Sequence, residues 1–311
     1  MNNRWLAIAS FSIALSIAGL AHADDNTSLC EPWKITQHTS AYFDPVYSQG
    51  LLWRISRGQH APSYLFGTMH LSDPEITQIA PVVRTALMRS QRFVMEALVD
   101  RQGLAEISTA SYYQYEDNTS LKALLGSAFF AKTARLLAAY GITPPVANRM
   151  KPWAVYSTLS TRPQERHAAA DPLDLQLLHL AQQQGKPVQG LETLREQIDT
   201  LEGIAVDRHL QDLKVAVCNY EDSIRFIDKL KSLYLARDLA GLLNYSHQLG
   251  ADEQDFMASI IWQRNTRMVE RLTQTLEEGG AFIAIGALHL PGARGVLHLL
   301  AQRGYEVRAL Y

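Results

Sequence analysis

Three apolar, strand-like runs in this chain end on a Gly-x-x-His or on a Glu: Tyr64-Leu65-Phe66-Gly67-Thr68-Met69-His70, Phe93-Val94-Met95-Glu96 and Ala281-Phe282-Ile283-Ala284-Ile285-Gly286-Ala287-Leu288-His289. A fourth short run, Lys186-Pro187-Val188-Gln189-Gly190-Leu191-Glu192, also stops on a carboxylate. In open α/β sheets the reacting groups lie in the crevice outside the carboxyl ends of the strands, which is where each of these polar residues falls. The pattern calls for an α/β fold whose strand ends assemble one polar site. A glycine at such an end permits positive φ or close backbone approach, so that the following side chain can turn into the crevice.

The intervening sequence is helical apart from one hairpin. Leu51 to Ser56 and Tyr64 to Thr68 flank the turn-rich Arg57-Gly58-Gln59-His60-Ala61-Pro62, which predicts a β-hairpin leading into His70. Ser72-Asp73-Pro74-Glu75 offers a cap, a proline and an acid, and predicts a helix from there to about Ser90. Between about 102 and 170, Leu121, Leu124, Leu125, Phe129, Leu136 and Leu137 recur at helical steps, with Gly141 as a stop. Asp171-Pro172 opens another helix that ends at Gly185, and a second helical block covers about 193–278. A helix from about Ala293 to Gln302 and a strand from Tyr305 to Leu310 close the chain.

Residues 1–23 read as a cleavable signal peptide: Arg4 supplies the charge, Trp5 to Leu20 the apolar stretch, and Ala21-His22-Ala23 a small-x-small cleavage site. The apolar run is shorter than the roughly 20 residues of a spanning helix, so no stable membrane anchor is expected after signal removal, and the product is periplasmic or secreted. Losing Arg4 leaves 28 basic against 31 acidic residues, a net charge of −3, which disfavours nucleic acid as a partner. The remaining residues, 24–311, suffice for a single α/β domain with helical insertions at about 102–170 and 193–278. Export would allow Cys30 and Cys218 to form a disulfide; sequence alone leaves two unpaired thiols as the alternative.

His70 and His289 are the leading candidates for a shared site, since each follows its glycine by three residues. A carboxylate closing a buried strand is costly without a cation or metal, which makes Glu96 a candidate metal ligand and catalytic residue, with a plain salt bridge as the alternative. Glu192 stands in the same context as ligand, general base or ordinary acidic helix start, given Thr193 and Glu196 beside it. Two imidazoles and a carboxylate form a ligand set for Zn²⁺ or Mn²⁺ that leaves a position open for water. Arg264-Asn265, inside a helical run, can aim a cation and an amide at a substrate carbonyl or at the site carboxylates. Asp171 reads as an N-cap that can also back a site residue. No Gly-x-Ser-x-Gly elbow, P-loop or dinucleotide spacing is present.

Taken in order, Leu65-Phe66-Gly67-Thr68-Met69-His70-Leu71, the Glu96 run, Gly190-Leu191-Glu192-Thr193 with Gln197, Arg264-Asn265 with Met268, and Gly286-Ala287-Leu288-His289-Leu290-Pro291-Gly292 resemble the TraB/PrgY/GumN family, in its secreted bacterial GumN-type form. That family is similar to the Tiki metalloproteases and shares a fold with erythromycin esterase-like and haem-binding ChaN-like proteins. The resemblance implies an α/β fold with a mixed central sheet, helices on both faces and large helical insertions. It further implies a divalent metal ion (Zn, Mn or Co) on His70, Glu96 and His289. The expected activity is metal-dependent hydrolysis of a peptide or protein substrate, with Glu192, Arg264 and Asn265 assisting. The alternative is a non-enzymatic haem-binding, metal-binding or partner-recognition protein on the same fold.

Overall fold

In the computed structural model, residues 27–33, 47–98, 103, 110–164, 170–247 and 257–311 are described, and the expected signal segment lies outside them. Six strands form one sheet in the order β4-β3-β5-β2-β1-β6: β1 is Leu52–Ser56, β2 Ser63–Thr68, β3 Arg92–Ala97, β4 Val188–Glu192, β5 Ala281–Gly286 and β6 Glu306–Ala309. The neighbours β4, β3, β5 and β2 run parallel, whereas β1 pairs antiparallel with both β2 and β6. The sheet is therefore mixed. The expected hairpin is β1 and β2, with Leu52 opposite Phe66 and Ile55 opposite Ser63.

All six residues of β5 are buried. Side chains alternate between the faces of a strand, so both faces of the sheet are covered, as is usual where strands run parallel. Phe282 of β5 stacks on Phe93 of β3 with ring centroids 6.1 Å apart and meets Phe66 of β2 at 6.2 Å. That aromatic row locks three neighbouring strands in register. Because the strands are parallel, β2, β3, β4 and β5 all deliver their carboxyl ends to the same edge of the sheet.

The helix expected from Ser72 begins later, at Pro81, and runs to Arg89. Asp73 folds back on itself instead: its carboxylate accepts from Glu75 N–H at 2.9 Å and its carbonyl from Thr77 N–H at 2.9 Å, making an isolated turn. Ala80 is extended, as a residue before proline prefers, and Pro81 then serves as the first helical residue. The closing helix likewise starts later than Ala293, at Val296. Elsewhere the chain between β3 and β4 folds into Leu121–Leu125, Ser127–Ala138, Pro144–Arg149, Pro152–Leu159 and Leu173–Gln183. Gly141 has φ 72°, the left-handed geometry that ends a helix without strain.

Between β4 and β5 lie Leu194–Glu202, Val206–Cys218, Tyr220–Leu235, Leu239–His247, a π-helical turn Ala258–Trp262 and Gln263–Glu278. Thr193 and Glu196 form a reciprocal capping box at the first of these helices. Cys30 and Cys218 are disulfide-bonded with Cα atoms 5.4 Å apart, so the amino-terminal segment is tied to the end of Val206–Cys218. No helix among the described residues is long and apolar enough to cross a membrane.

Candidate active site

His70 leaves the end of β2, Glu96 sits near the end of β3, Glu192 closes β4, and His289 follows β5 after a single 3-10 turn. The fold brings all four to one place. His70 Nε2 lies 3.8 Å from Glu96 Oε2, and His289 Nε2 lies 3.7 Å from Glu96 Oε1. Both imidazoles thus present their far nitrogen to one carboxylate. Gly286 explains the convergence. A Cβ there would stand 3.2 Å from Glu96 Oε2, 3.4 Å from His70 Nε2 and 3.4 Å from His289 Cδ2, so the missing side chain keeps the space among the three groups open.

Each imidazole is held from behind by a different partner. His70 Nδ1 meets Asp174 Oδ2 at 2.7 Å, and Asp174 Oδ1 accepts from Thr68 Oγ1 at 2.5 Å. His289 Nδ1 donates to Asn265 Oδ1 at 2.6 Å, while Asn265 Nδ2 donates to the Arg294 carbonyl at 2.8 Å, which fixes the amide's orientation. Burial pushes the His289 imidazole down to about 4, against the pull of Glu96, so it is neutral near pH 7. Burial also opposes charge on His70, but the Asp174 carboxylate outweighs it and pushes that imidazole up to about 9. The difference follows from a carboxylate behind one ring and a neutral amide behind the other.

Glu96 is 5% exposed and hydrogen-bonded on both oxygens. Oε1 accepts from Arg264 Nη2 at 2.5 Å and Gln197 Nε2 at 3.0 Å; Oε2 accepts from Gly286 N–H at 2.8 Å. Burial alone would raise its pKa, but Arg264, the two imidazoles and the Gly286 N–H hold it well below the usual carboxylate range. Arg264 also grips Glu192, through Nε at 2.9 Å and Nη2 at 2.6 Å, and its Nη1 donates to the Ile260 carbonyl at 3.1 Å in the π-helical turn. Arg267 adds a second guanidinium to Glu192 at 2.7 Å.

These contacts separate the residues that sequence grouped together. His70, Glu96, Arg264 and His289 face a common cavity, whereas Glu192 lies behind Arg264 and is clamped by two guanidinium groups. Asn265 engages His289 rather than open space. Asp171 makes no side-chain cap at the helix after Pro172; its carboxylate lies 3.4 Å from His179 on the exposed side. The residue behind His70 is Asp174, one turn further on, which sequence reasoning missed. The available signal was a charge embedded in Leu173-Asp174-Leu175, on a helix whose other buried positions are Leu and Ala.

The donor chemistry at this point suits a divalent metal. Each histidine is pinned through Nδ1, the arrangement that metal-binding imidazoles ordinarily show. Glu96 Oε2 accepts one hydrogen bond and keeps a second lone pair. Among the described residues no three His, Cys, Asp or Glu side chains stand close enough to hold an ion as they are. Each imidazole Nε2 lies a few tenths of an ångström beyond the roughly 3.4 Å that separates two tetrahedral ligands on bonds of about 2.1 Å, His70 from Glu96 Oε2 and His289 from Glu96 Oε1.

The TraB/PrgY/gumN family pattern matches residues 51–309, which includes every site residue described above. The chain belongs to the TraB/PrgY/gumN family. Among its relatives, Metalloprotease TIKI2 of Danio rerio is 24% identical over 310 residues, covering 82% of this chain and 60% of its own length. Metalloprotease TIKI homolog of Amphimedon queenslandica is 25% identical, covering 83% and 61% respectively. Uncharacterized protein YbaP of Shigella flexneri is 23% identical and matched over 83% of this chain and 99% of its own length. The chain thus spans about three fifths of the length of the TIKI relatives. No solved structure matches it.

Proposed function

We propose that this chain is an exported, metal-dependent hydrolase that cleaves a peptide bond, with a divalent ion on His70, His289 and Glu96. One observation carries the reading: two imidazole Nε2 atoms are trained on a single buried carboxylate at the carboxyl edge of a parallel sheet, beside a cavity. The names of the TIKI relatives support hydrolysis of a peptide bond. The Cys30–Cys218 disulfide supports an oxidising compartment.

The residues then divide by task. Zn, Mn or Co bound here would polarise a carbonyl and lower the pKa of a coordinated water toward about 7. Asn265 holds His289 in the tautomer that presents Nε2, and Asp174 orients His70, whose Nε2 proton a bound ion would displace. Gly286 N–H and Gln197 fix the Glu96 carboxylate. Arg264 balances the charge of Glu96 and Glu192, and it faces the cavity where charge would develop on a substrate carbonyl. Glu192 acts through Arg264, as the counter-charge that keeps the guanidinium in place.

The test is metal content of the purified protein by elemental mass spectrometry, together with hydrolysis of a quenched-fluorescent peptide library. Near-stoichiometric metal and turnover, both lost in His70→Ala and His289→Ala, are expected. Full activity in either variant would sink the assignment. A Soret band on haem addition with no turnover would favour the carrier reading instead.

A further inference from the structure

The cavity beside the site is charged on its floor and uncharged on its walls. Its floor is His70, Glu96, Arg264 and His289, and every other lining side chain is neutral. The walls come from the helical segments above the sheet edge: Tyr156 from Pro152–Leu159, Ala216 from Val206–Cys218, Phe226 and Leu230 from Tyr220–Leu235, and Leu242 from Leu239–His247. Leu288, next to His289, completes the apolar ring.

Three hydroxyls in these walls already donate their protons to backbone carbonyls. Ser160 Oγ donates to the Tyr156 carbonyl at 2.7 Å and Ser223 Oγ to the Asn219 carbonyl at 3.2 Å, each within one helical turn. Tyr234 OH donates to the Gly67 carbonyl at 2.9 Å, which ties Tyr220–Leu235 to the end of β2. With these three protons engaged, a guest that needs a hydrogen-bond donor finds none among these hydroxyls. The volume is about 90 Å³. A dry apolar cavity of about 150 Å³ accepts benzene, with six carbons, so a space of this size takes at most three or four.

We propose that this cavity is a specificity pocket for one aliphatic side chain of the substrate, of valine, leucine or methionine size, next to the bond that is cut. The proposal rests on the hydrolase reading for the chemistry at the floor, but the pocket's selectivity is a separate property. It favours neutral, branched or flexible aliphatic groups, which match the apolar walls, over lysine and aspartate, whose charge would be desolvated between those walls, and its size disfavours phenylalanine and tryptophan.

Two measurements on the full-length mature protein test it. The first scans each position of a quenched peptide with the metal-loaded enzyme. One position flanking the cut prefers Leu, Met or Val over Gly, Lys or Phe by about tenfold or more. Leu230→Ala, which enlarges the wall, moves that preference toward Phe; Ala216→Leu, which fills it, moves it toward Ala. The second needs no turnover: N-acetyl-leucinamide and N-acetyl-lysinamide are titrated against the wild-type protein and read by thermal shift and by NMR. Saturable binding of the leucine amide alone is expected, weakened in Ala216→Leu. Turnover without any aliphatic preference would overturn the pocket and leave the hydrolase standing. Selective leucinamide binding without turnover would keep the pocket and defeat the hydrolase. Failure of leucinamide to bind, with no positional preference, ends the proposal.

Discussion

Arg264 offers the sharpest quantitative test of how this site is held together. Its side chain is 3% exposed and bridges two buried carboxylates, Glu96 and Glu192. Arg264→Met keeps much of the volume and removes the charge. Glu192 keeps Arg267, and Glu96 keeps Gln197 and the Gly286 N–H, but neither is then neutralised as before. Removing one partner of a buried ion pair typically costs about 3–5 kcal/mol, because the remaining charge stays desolvated. For a chain of this size that lowers Tm by on the order of 10 °C.

Glu192→Gln alone leaves Arg264 paired with Glu96 and so costs less, about 1–3 kcal/mol. In the double variant one of the two stranded carboxylates is gone, and its loss falls short of the two single losses together by roughly 2 kcal/mol. Urea unfolding of all four proteins in EDTA, with the disulfide intact, measures the cycle. The Arg264→Met deficit also shrinks as pH falls, since protonation neutralises the Glu96 carboxylate that has lost its guanidinium. A deficit under 1 kcal/mol, or strict additivity, would refute the view that this arginine stabilises the site by charge.

Other consequences are simpler to state. Asp174→Asn preserves shape behind His70 while removing the charge, and is expected to weaken metal affinity about 10–100-fold in a competition titration without unfolding the protein; unchanged affinity would remove Asp174 from the site. Gly286→Ala puts a methyl among Glu96, His70 and His289, so metal uptake and turnover are expected to fall by about tenfold or more, with the urea midpoint less affected. Glu196 is held down to about 2, first by its hydrogen bond to Arg271, so its contribution is present above the unfolded value of 4.5 and is lost as pH falls toward 2. Tm profiles over that window are expected to be flatter in Glu196→Gln than in wild type, and superimposable slopes would contradict this. Reducing Cys30–Cys218 is expected to cost about 2–5 kcal/mol by urea unfolding with and without reductant, since the bridge closes a long loop in the denatured chain; coincident curves would argue against it.

The strand ends were legible because buried parallel strands are written as unbroken apolar runs, and a polar residue at the end of one stands out. That logic located β2, β3, β4 and β5 and gathered His70, Glu96, Glu192 and His289 at one edge. It could not rank them. Whether Glu192 faces the cavity or sits behind Arg264 depends on how Gln263–Glu278 packs against β4, which no local pattern encodes. Asp174 was hidden for a similar reason: inside a helix, one acid three residues past an N-terminal Asp-Pro looks like dipole chemistry, and only the path of β2 brings Thr68 and His70 to it. The helix misplaced at Ser72 shows the opposite failure, where Asp73 satisfied every local cue for a cap and used them to close a single turn.

The disulfide also bears on the order in which the molecule can be assembled. In a chain made amino end first, Cys218 emerges well before residues 281–286, so the bridge can close while β5 is still to come. With two cysteines in the chain there is one intramolecular pairing and nothing to reshuffle. Yet β5 is the strand that lies between β3 and β2, and it is followed by His289. The oxidised loop holds His70 and Glu96 on strands that are joined only through that late strand, which pairs with both. Covalent closure and completion of the site are therefore separate events, and the second waits for the last quarter of the chain.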